Sequence, residues 1–386
     1  MSVSLPLVPG DETRTANPRP GILDGPPDFL RAWLIERGQP PMRVNQIRRH
    51  VLARGVVAFD QMSDLPRELR TELANHFAVF TTRVERHLVA ADQTHKLILR
   101  LQDNRMIECV LIQDEGRATA CISTQVGCGM GCVFCASGIN GVVRNLTTGE
   151  LVEQLVRLRN LVGRSAAAPE ELSAAEVGHQ PVAVGRLTHI VVMGMGEPLA
   201  NLDHLLAALV LAGDKNGLGI GARHVTISTV GLPAKIRRLA DLGKQYHLAV
   251  SLHAPNDPLR TRIVPTNEKT GIAAILEAAD YFFKKTGRQV TYEYVVLGGL
   301  NDQPVHAHEL ARLLAGRKAH VNLIPWNEVD GLPYRRPLDT DLQGFITTLR
   351  RHGISVKVRK RKGSEIDAAC GQLRRQVEGE PLVVPD

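Results

Sequence analysis

The residues most able to do chemistry stand close together: Cys128, Cys132 and Cys135 form a C-x3-C-x2-C run, Cys128-Gly-Met-Gly-Cys132-Val-Phe-Cys135. Three thiolates spaced this tightly can wrap a small metal centre, and the glycines between them allow the dihedrals that turn several sulfurs inward. Two chemistries compete for such a set. A structural zinc ion takes four ligands, usually from paired knuckles, so Cys121 or Cys370 would have to be borrowed. A four-iron cluster held by three cysteines instead keeps one iron open to a further ligand. Six cysteines in 386 residues are too sparse for a secreted disulfide framework, which points to metal or thiol chemistry in a reducing compartment.

The elements that must position the trio are legible around it. Strand-like runs at 118–123, 189–193, 225–229, 248–252, 290–297 and 321–324 alternate with helical periodicity at 150–162, 202–212, 233–242, 272–283 and 307–314. Parallel neighbours need crossover connections, so the expected fold is α/β with a parallel sheet, open or curled into a partial barrel. Its functional residues should sit at the C-terminal ends of the strands. Upstream, a Pro- and Gly-bearing stretch over 1–25 reads as a flexible leader. Residues 28–80 carry apolar positions at helical spacing, a small helical domain with Arg43, Arg48, Arg49 and Arg54 on a polar side that is either solvated or RNA-contacting. Alternation at 95–102 and 105–112 around Asp103-Asn104 signals a β-hairpin. The expected order is leader 1–25, helical accessory domain 26–90, hairpin extension 91–116, catalytic core 117–375 and tail 376–386, with a surface insertion at 163–186.

A net charge of +7 favours a polyanionic partner, while 4% aromatic residues argue against an extended base-stacking platform. No long apolar run or signal segment suggests a membrane, and a cytoplasmic protein is expected. A strand-like stretch at 354–358 runs into Arg359-Lys360-Arg361-Lys362, shortly before Cys370. That run is either a solvated face or a contact to RNA phosphates.

The cysteine trio, with Phe134 directly before its third member, resembles the radical S-adenosylmethionine superfamily. The resemblance implies that the open iron binds the amino and carboxylate groups of S-adenosylmethionine and that the cofactor is cleaved to a 5′-deoxyadenosyl radical. Gly194-Met195-Gly196-Glu197-Pro198, by itself an ordinary strand-to-helix turn, corresponds to a cofactor-binding segment there. The same family reading places Gly196, Glu197, Ser228, Ser251, Leu252, His253 and Asn327 around the cofactor. Read alone, His253 is a structural histidine and Asn327 a turn residue.

The words Cys121-Ile-Ser-Thr-Gln-Val-Gly-Cys128, Ser251-Leu-His-Ala-Pro-Asn256, Asn322-Leu-Ile-Pro-Trp-Asn327 and Ile366-Asp-Ala-Ala-Cys-Gly-Gln372 narrow the resemblance to the RlmN-type dual-specificity RNA methyltransferases. This closer resemblance implies a radical-SAM partial (β/α)6 barrel with the helical domain and hairpin appended. It implies a reaction that puts a methyl group on carbon 2 of an adenine in 23S ribosomal RNA and in transfer RNA. It also implies one [4Fe-4S] cluster on Cys128, Cys132 and Cys135 and two S-adenosylmethionine molecules per turnover, one as methyl donor and one as radical source. Carbon 2 is electron-poor and cannot attack an electrophilic methyl group. In the family scheme Cys370 is therefore methylated first and then carries a methylene radical to the base. By the same resemblance Cys121 resolves the adduct through a transient disulfide, and Glu108 accepts the proton.

Without the resemblance, Glu108 reads as an exposed strand carboxylate, and Cys121 and Cys370 as small buried hydrophobes. Cys109 reads as a packing residue turned away from Glu108. An electron donor such as flavodoxin or ferredoxin and a monomeric state complete the expectation. The competing readings are a carbon-8 methyltransferase of the same family, a radical enzyme acting on a small molecule or protein, and a zinc-stabilised RNA-binding protein without activity. Val133, where the family often has a basic residue, and the 163–186 insertion depart from the family pattern.

Overall fold

The computed structural model describes residues 3–4, 19–24, 29–163 and 185–373. The tail at 376–386 and nearly all of the 163–186 insertion lie outside the described residues.

Three short helices open the chain, α1 (Phe29–Ile35), α2 (Arg43–Arg48) and α3 (Arg67–His76). Their apolar stripes meet: Leu30, Leu34, Ile47, Leu69 and Leu73 are buried. The leader expected over 1–25 does not include all of that stretch as loose chain. Ile22 and Leu23 are buried, and the Asp24 carboxylate accepts the Gly149 N–H at 2.9 Å and the Thr147 hydroxyl. Asp24 thereby joins the helical region to the start of α4 (Thr148–Arg159), whose own capping box pairs Thr147 with Glu150.

Strands β1 (Val3–Ser4), β2 (Arg83–Val89), β3 (His95–Arg100), β4 (Met106–Asp114) and β5 (Arg117–Cys121) form an antiparallel run. The expected hairpin is β3–β4, but it is no separate extension. β5 pairs in parallel with β8 (His189–Val192), so the meander continues into the main sheet. β2 carries no clear strand signal in the sequence because its residues are half-exposed on both faces, which erases the alternation.

From β8 the sheet runs in parallel through β9 (Val225–Thr229), β10 (His247–Ser251), β11 (Val290–Val296), β12 (Ala319–Pro325) and β13 (Ser355–Val358). Helices α5 (Leu202–Gly213), α6 (Pro233–Asp241), α8 (Ile272–Thr286), α9 (Pro304–Leu314) and α10 (Asp339–Arg351) make the crossovers, and α7 (Asp257–Ile263) is an added turn after β10. A small hairpin of β6 (Gln125–Gly127) and β7 (Val142–Asn145) brackets the cysteine loop.

The sheet is curled. β8 and β13 are five steps apart in strand order, about 24 Å in a flat sheet. Yet Arg359, the residue after β13, places its guanidinium 3.5 Å from the Met193 sulfur, directly after β8. Residues 359–373 then cross to the meander, where Gly363 N–H bonds Asp92 at 3.1 Å and Lys362 bonds Asp114 at 2.8 Å. The parallel strands thus form a partial barrel, and its C-terminal segment lies across the edge facing β3 and β4.

Candidate active site

Cys128, Cys132 and Cys135 lie in the loop that leaves β6. Gly127 has φ +78°, and a Cβ there would stand 2.0 Å from the Gly141 carbonyl oxygen; Gly131 has φ +64°. Only glycine lets the loop turn so tightly against β7. Burial raises all three thiols, Cys128 to about 12; Cys128 and Cys132 also feel the charge of Cys135, and Cys135 that of Cys370. The Cys128 sulfur accepts the N–H groups of Met130 and Gly196, and the Cys135 sulfur those of Ser137 and Gly138.

Among the described residues no three His, Cys, Asp or Glu side chains converge closely enough for a single metal ion. Three buried thiols on one glycine-turned loop, with amide donors to two of the sulfurs, fit an iron–sulfur cluster.

The turn after β8 is pressed onto the residues between β5 and β6. A Cβ on Gly194 would come within 2.7 Å of the Ile122 carbonyl oxygen, and Gly196, at φ +97°, would meet Gln125 at 2.7 Å. Met195 N–H bonds the Ser123 hydroxyl at 2.8 Å, and Glu197 N–H bonds Gln125 Oε1 at 2.8 Å. The buried Glu197 carboxylate accepts the N–H groups of Leu199 at 3.0 Å and Val230 at 2.9 Å. It locks the turn to the end of β9, and its raised pKa follows from burial.

At the next strand ends, the Ser228 and Ser251 hydroxyls lie 3.3 Å apart. Leu252 is fully buried, and its N–H bonds the Glu293 carbonyl at 3.0 Å. His253 takes a left-handed φ of +61°. Its Nδ1 accepts the Val295 N–H at 3.1 Å, its ring meets Phe134 edge-on at 4.8 Å, and burial drives its pKa to about 3. The histidine is therefore neutral and braces the cysteine loop through Phe134.

Two further residues of this region were not among the expected site residues. Arg260, on α7, is buried and binds the carbonyls of Leu252 and Ser251, each at 3.0 Å, and that of Val230. Asn256 caps α7 by accepting the Leu259 N–H at 3.0 Å. The Ser251–Asn256 word is thus a turn whose first two carbonyls one buried arginine collects.

Cys121 and Cys370 are neighbours, and Glu108 shares the sheet face of Cys121. Cys121 lies opposite Val110 and Glu108 opposite Ile98 in the β3–β4–β5 ladder. Cross-strand partners share a face and alternate residues return to it, so Glu108, Val110 and Cys121 face one way and Cys109 the other. The exposed-carboxylate reading of Glu108 is overturned: its side chain is 1% exposed and lies 3.5 Å from Lys96 Nζ. Cys109 lies in the core, where burial pushes its thiol up.

Burial and the neighbouring Cys370 raise the Cys121 thiol to about 12, and Arg359 opposes them. The Cys370 loop is docked onto the cysteine loop. The Cys370 carbonyl accepts Asn327 Nδ2 at 3.0 Å, the Gly371 carbonyl accepts Ala136 N–H at 2.8 Å, and the Leu373 carbonyl accepts the Ser137 hydroxyl. Trp326 Nε1 bonds the Phe134 carbonyl at 3.1 Å from the same strand end.

The basic run at 359–362 does not act as one surface. Arg359 turns inward among Cys370, Glu293 and Cys121, whose charges raise its pKa. Lys362 is engaged by Asp114. Lys360 and Arg361 are the exposed pair.

A parallel partial barrel with a cysteine tripod at its strand ends is the architecture of the radical S-adenosylmethionine enzymes. The Radical SAM superfamily model matches residues 122–311, and the ribosomal RNA large subunit methyltransferase N-terminal domain model matches 21–79. A probable dual-specificity RNA methyltransferase RlmN of Rhodopirellula baltica is 49% identical, covering 97% of this chain and 96% of its own. The Bacillus subtilis protein of the same description is 39% identical, covering 92% and 93%. A radical SAM methyltransferase from Sphaerobacter thermophilus superposes with a TM-score of 0.83 at 40% identity, over 92% of this chain and 99% of its own. The chain belongs to the RlmN family of dual-specificity RNA methyltransferases. No helix among the described residues is long and apolar enough to cross a membrane.

Proposed function

We propose that this protein methylates carbon 2 of an adenine in 23S ribosomal RNA and in transfer RNA, carrying the methyl group on Cys370 before it reaches the base. Membership of the RlmN family supports the reaction. The observation that carries the assignment of residues is the placing of Cys370: its loop is hydrogen-bonded to the cysteine loop at Ala136, while its thiol is near enough to Cys121 to raise that thiol's pKa.

Cys128, Cys132 and Cys135 would hold the [4Fe-4S] cluster. The residues of this chain that would seat S-adenosylmethionine are the backbone at Gly196 and Glu197, the Ser228 and Ser251 hydroxyls, the turn at Leu252 and His253, and Asn327. When bound, cluster and cofactor supply a methyl group in one round and a hydrogen-abstracting radical in the next, hence two S-adenosylmethionine molecules per turnover.

The protein's own part is to present thiols in order. Arg359 sets its guanidinium beside Cys370, the thiol that takes the methyl group. Once the methylene carbon is bonded to carbon 2 the adduct is a radical; Glu108 takes the ring proton and one electron must leave with it, for which the cluster held by Cys128, Cys132 and Cys135 would be the acceptor. Cys121 then attacks the Cys370 sulfur: the sulfur–carbon bond breaks, its electron pair stays on the carbon and picks up a proton, and a Cys121–Cys370 disulfide remains. A thiol reductant must reopen it. Burial of Cys121 keeps it protonated, so the attack requires a base once RNA is in place. A soluble monomer served by a flavodoxin or ferredoxin in the cytoplasm completes the proposal.

The test is incubation of unmodified RNA with methyl-labelled S-adenosylmethionine and anaerobically reconstituted protein, followed by mass spectrometry of the nucleosides. Label in 2-methyladenosine, absent with Cys370→Ala, is expected. Label in 8-methyladenosine would assign the carbon-8 reaction instead, and label that survives Cys370→Ala would remove the carrier.

A further inference from the structure

The expected proton acceptor is paired with a lysine that also reaches the methyl carrier's loop. Lys96 stands on β3 with its side chain 4% exposed, and Glu108, on β4, is 1% exposed. Nζ lies 3.5 Å from Glu108 Oε2 and donates to the Asp367 carbonyl at 3.3 Å. Asp367 has a left-handed φ of +50°, a conformation unfavourable for a side chain bearing Cβ. Gln372 spans the same loop, bonding the Glu328 carbonyl at 2.8 Å and lying 3.4 Å from Asp367 Oδ1. Cys370 sits between these two fastened points.

A buried ammonium is costly to desolvate, and the same β3 face could hold an apolar residue such as the neighbouring Ile98. The cross-strand register would keep Glu108 and Cys121 on one face with leucine at position 96 just as well. What the ammonium adds is a joint: an antiparallel strand and the loop that follows the short turn at Ser364–Ile366 meet on its one nitrogen.

We infer that Lys96 is a positioning residue that ties the Glu108 carboxylate to the Asp367 carbonyl, so that base and methyl carrier hold one geometry while the RNA adduct is resolved. This role deepens the proposed function and rests on its assignment of Glu108 and Cys370. Methylation of Cys370 does not call on the Glu108 carboxylate and should proceed without Lys96, whereas loss of the ring proton and release of the RNA should not.

The experiment compares Lys96→Met, Lys96→Arg and Glu108→Gln in the reconstituted protein. Hydrogen–deuterium exchange of 363–373 is read first, because it does not depend on turnover. Lys96→Met should speed exchange there, and Lys96→Arg should restore much of the protection. In single turnover, Lys96→Met should form methyl-Cys370 at the normal level yet accumulate the protein–RNA adduct, with product formation slowed at least tenfold. Lys96→Met/Glu108→Gln should be no slower than Glu108→Gln. Unchanged exchange at 363–373, product formation within twofold of the unsubstituted protein, or additive losses in the double variant would overturn the inference. Normal product formation by Glu108→Gln would instead reject Glu108 as acceptor, while the exchange result would still judge the tether.

Discussion

Asn327 Nδ2 donates a 3.0 Å hydrogen bond to the carbonyl of Cys370, joining the turn after β12 to the loop that carries this thiol. The two residues lie 43 positions apart, and the bond falls on the side of the loop that also meets Ala136 of the cysteine loop. The end of one barrel strand therefore helps decide where the thiol rests relative to the cysteine loop.

Asn327→Ala removes that donor and leaves the Cys370 loop to its other hydrogen bonds. Deleting a bond of this kind costs about 1 kcal/mol. Cluster content should stay normal while Cys370 methylation falls several-fold, read by peptide mass spectrometry after one round with methyl-labelled S-adenosylmethionine. Cluster loss matching the methylation loss would place Asn327 in the scaffold of the cysteine loop.

Glu197 stabilises the fold through its side chain. Both carboxylate oxygens are bonded to backbone N–H groups, of Leu199 and Val230. Glu197→Ala leaves two buried donors without acceptors, at roughly 1–3 kcal/mol each. Thermal unfolding of the metal-free protein should begin several degrees lower than in the unsubstituted chain. No shift would mean that water enters the turn and replaces the carboxylate.

The N-terminal helices, the crossover rhythm and the cysteine tripod are legible in the sequence because each follows from a local pattern: helical spacing, strand–helix alternation and tight Cys/Gly spacing. Ranges for β9 and α5 follow the apolar runs closely. α10 is not among the expected helices although Leu342, Phe345, Ile346 and Leu349 recur at helical spacing, because Gly344 and two threonines dilute the segment's propensity. The site is less legible. Lys96, Arg260 and Arg359 are cations that sequence assigns to a surface by default, and only the packing of separate segments brings them inside. Arg359 shows the limit plainly: four consecutive basic residues look alike along the chain, yet the first points among the thiols, the fourth is held by Asp114, and the middle two face out.

That division makes RNA binding testable. Lys360→Ala/Arg361→Ala should flatten the log–log salt dependence of RNA affinity by roughly 0.7–0.9 for each phosphate that the pair neutralises. Lys362→Ala should change the slope less, because its charge is already neutralised locally. Equal changes in the two variants would return the run to a single phosphate-binding surface.

His253 gives the fold a specific response to acid. Its folded-state pKa of about 3 lies below the ordinary 6.5. The depressed value means that its contribution is fully present above pH 6.5 and is lost as pH falls toward 3. His253→Gln, which keeps an acceptor for the Val295 N–H, should flatten the decline in denaturant midpoint across that window. Parallel pH curves for the two proteins would show that position 253 does not titrate in this range.

The central claim is that Cys370 carries the methyl group and Cys121 releases it. The most direct measurement is mass spectrometry of Cys121→Ala protein after anaerobic incubation with RNA and methyl-labelled S-adenosylmethionine. The account predicts RNA covalently bound through a labelled one-carbon bridge at Cys370, with little free methylated RNA. Free methylated RNA released at the rate of the unsubstituted protein, with no bridge at Cys370, would contradict it.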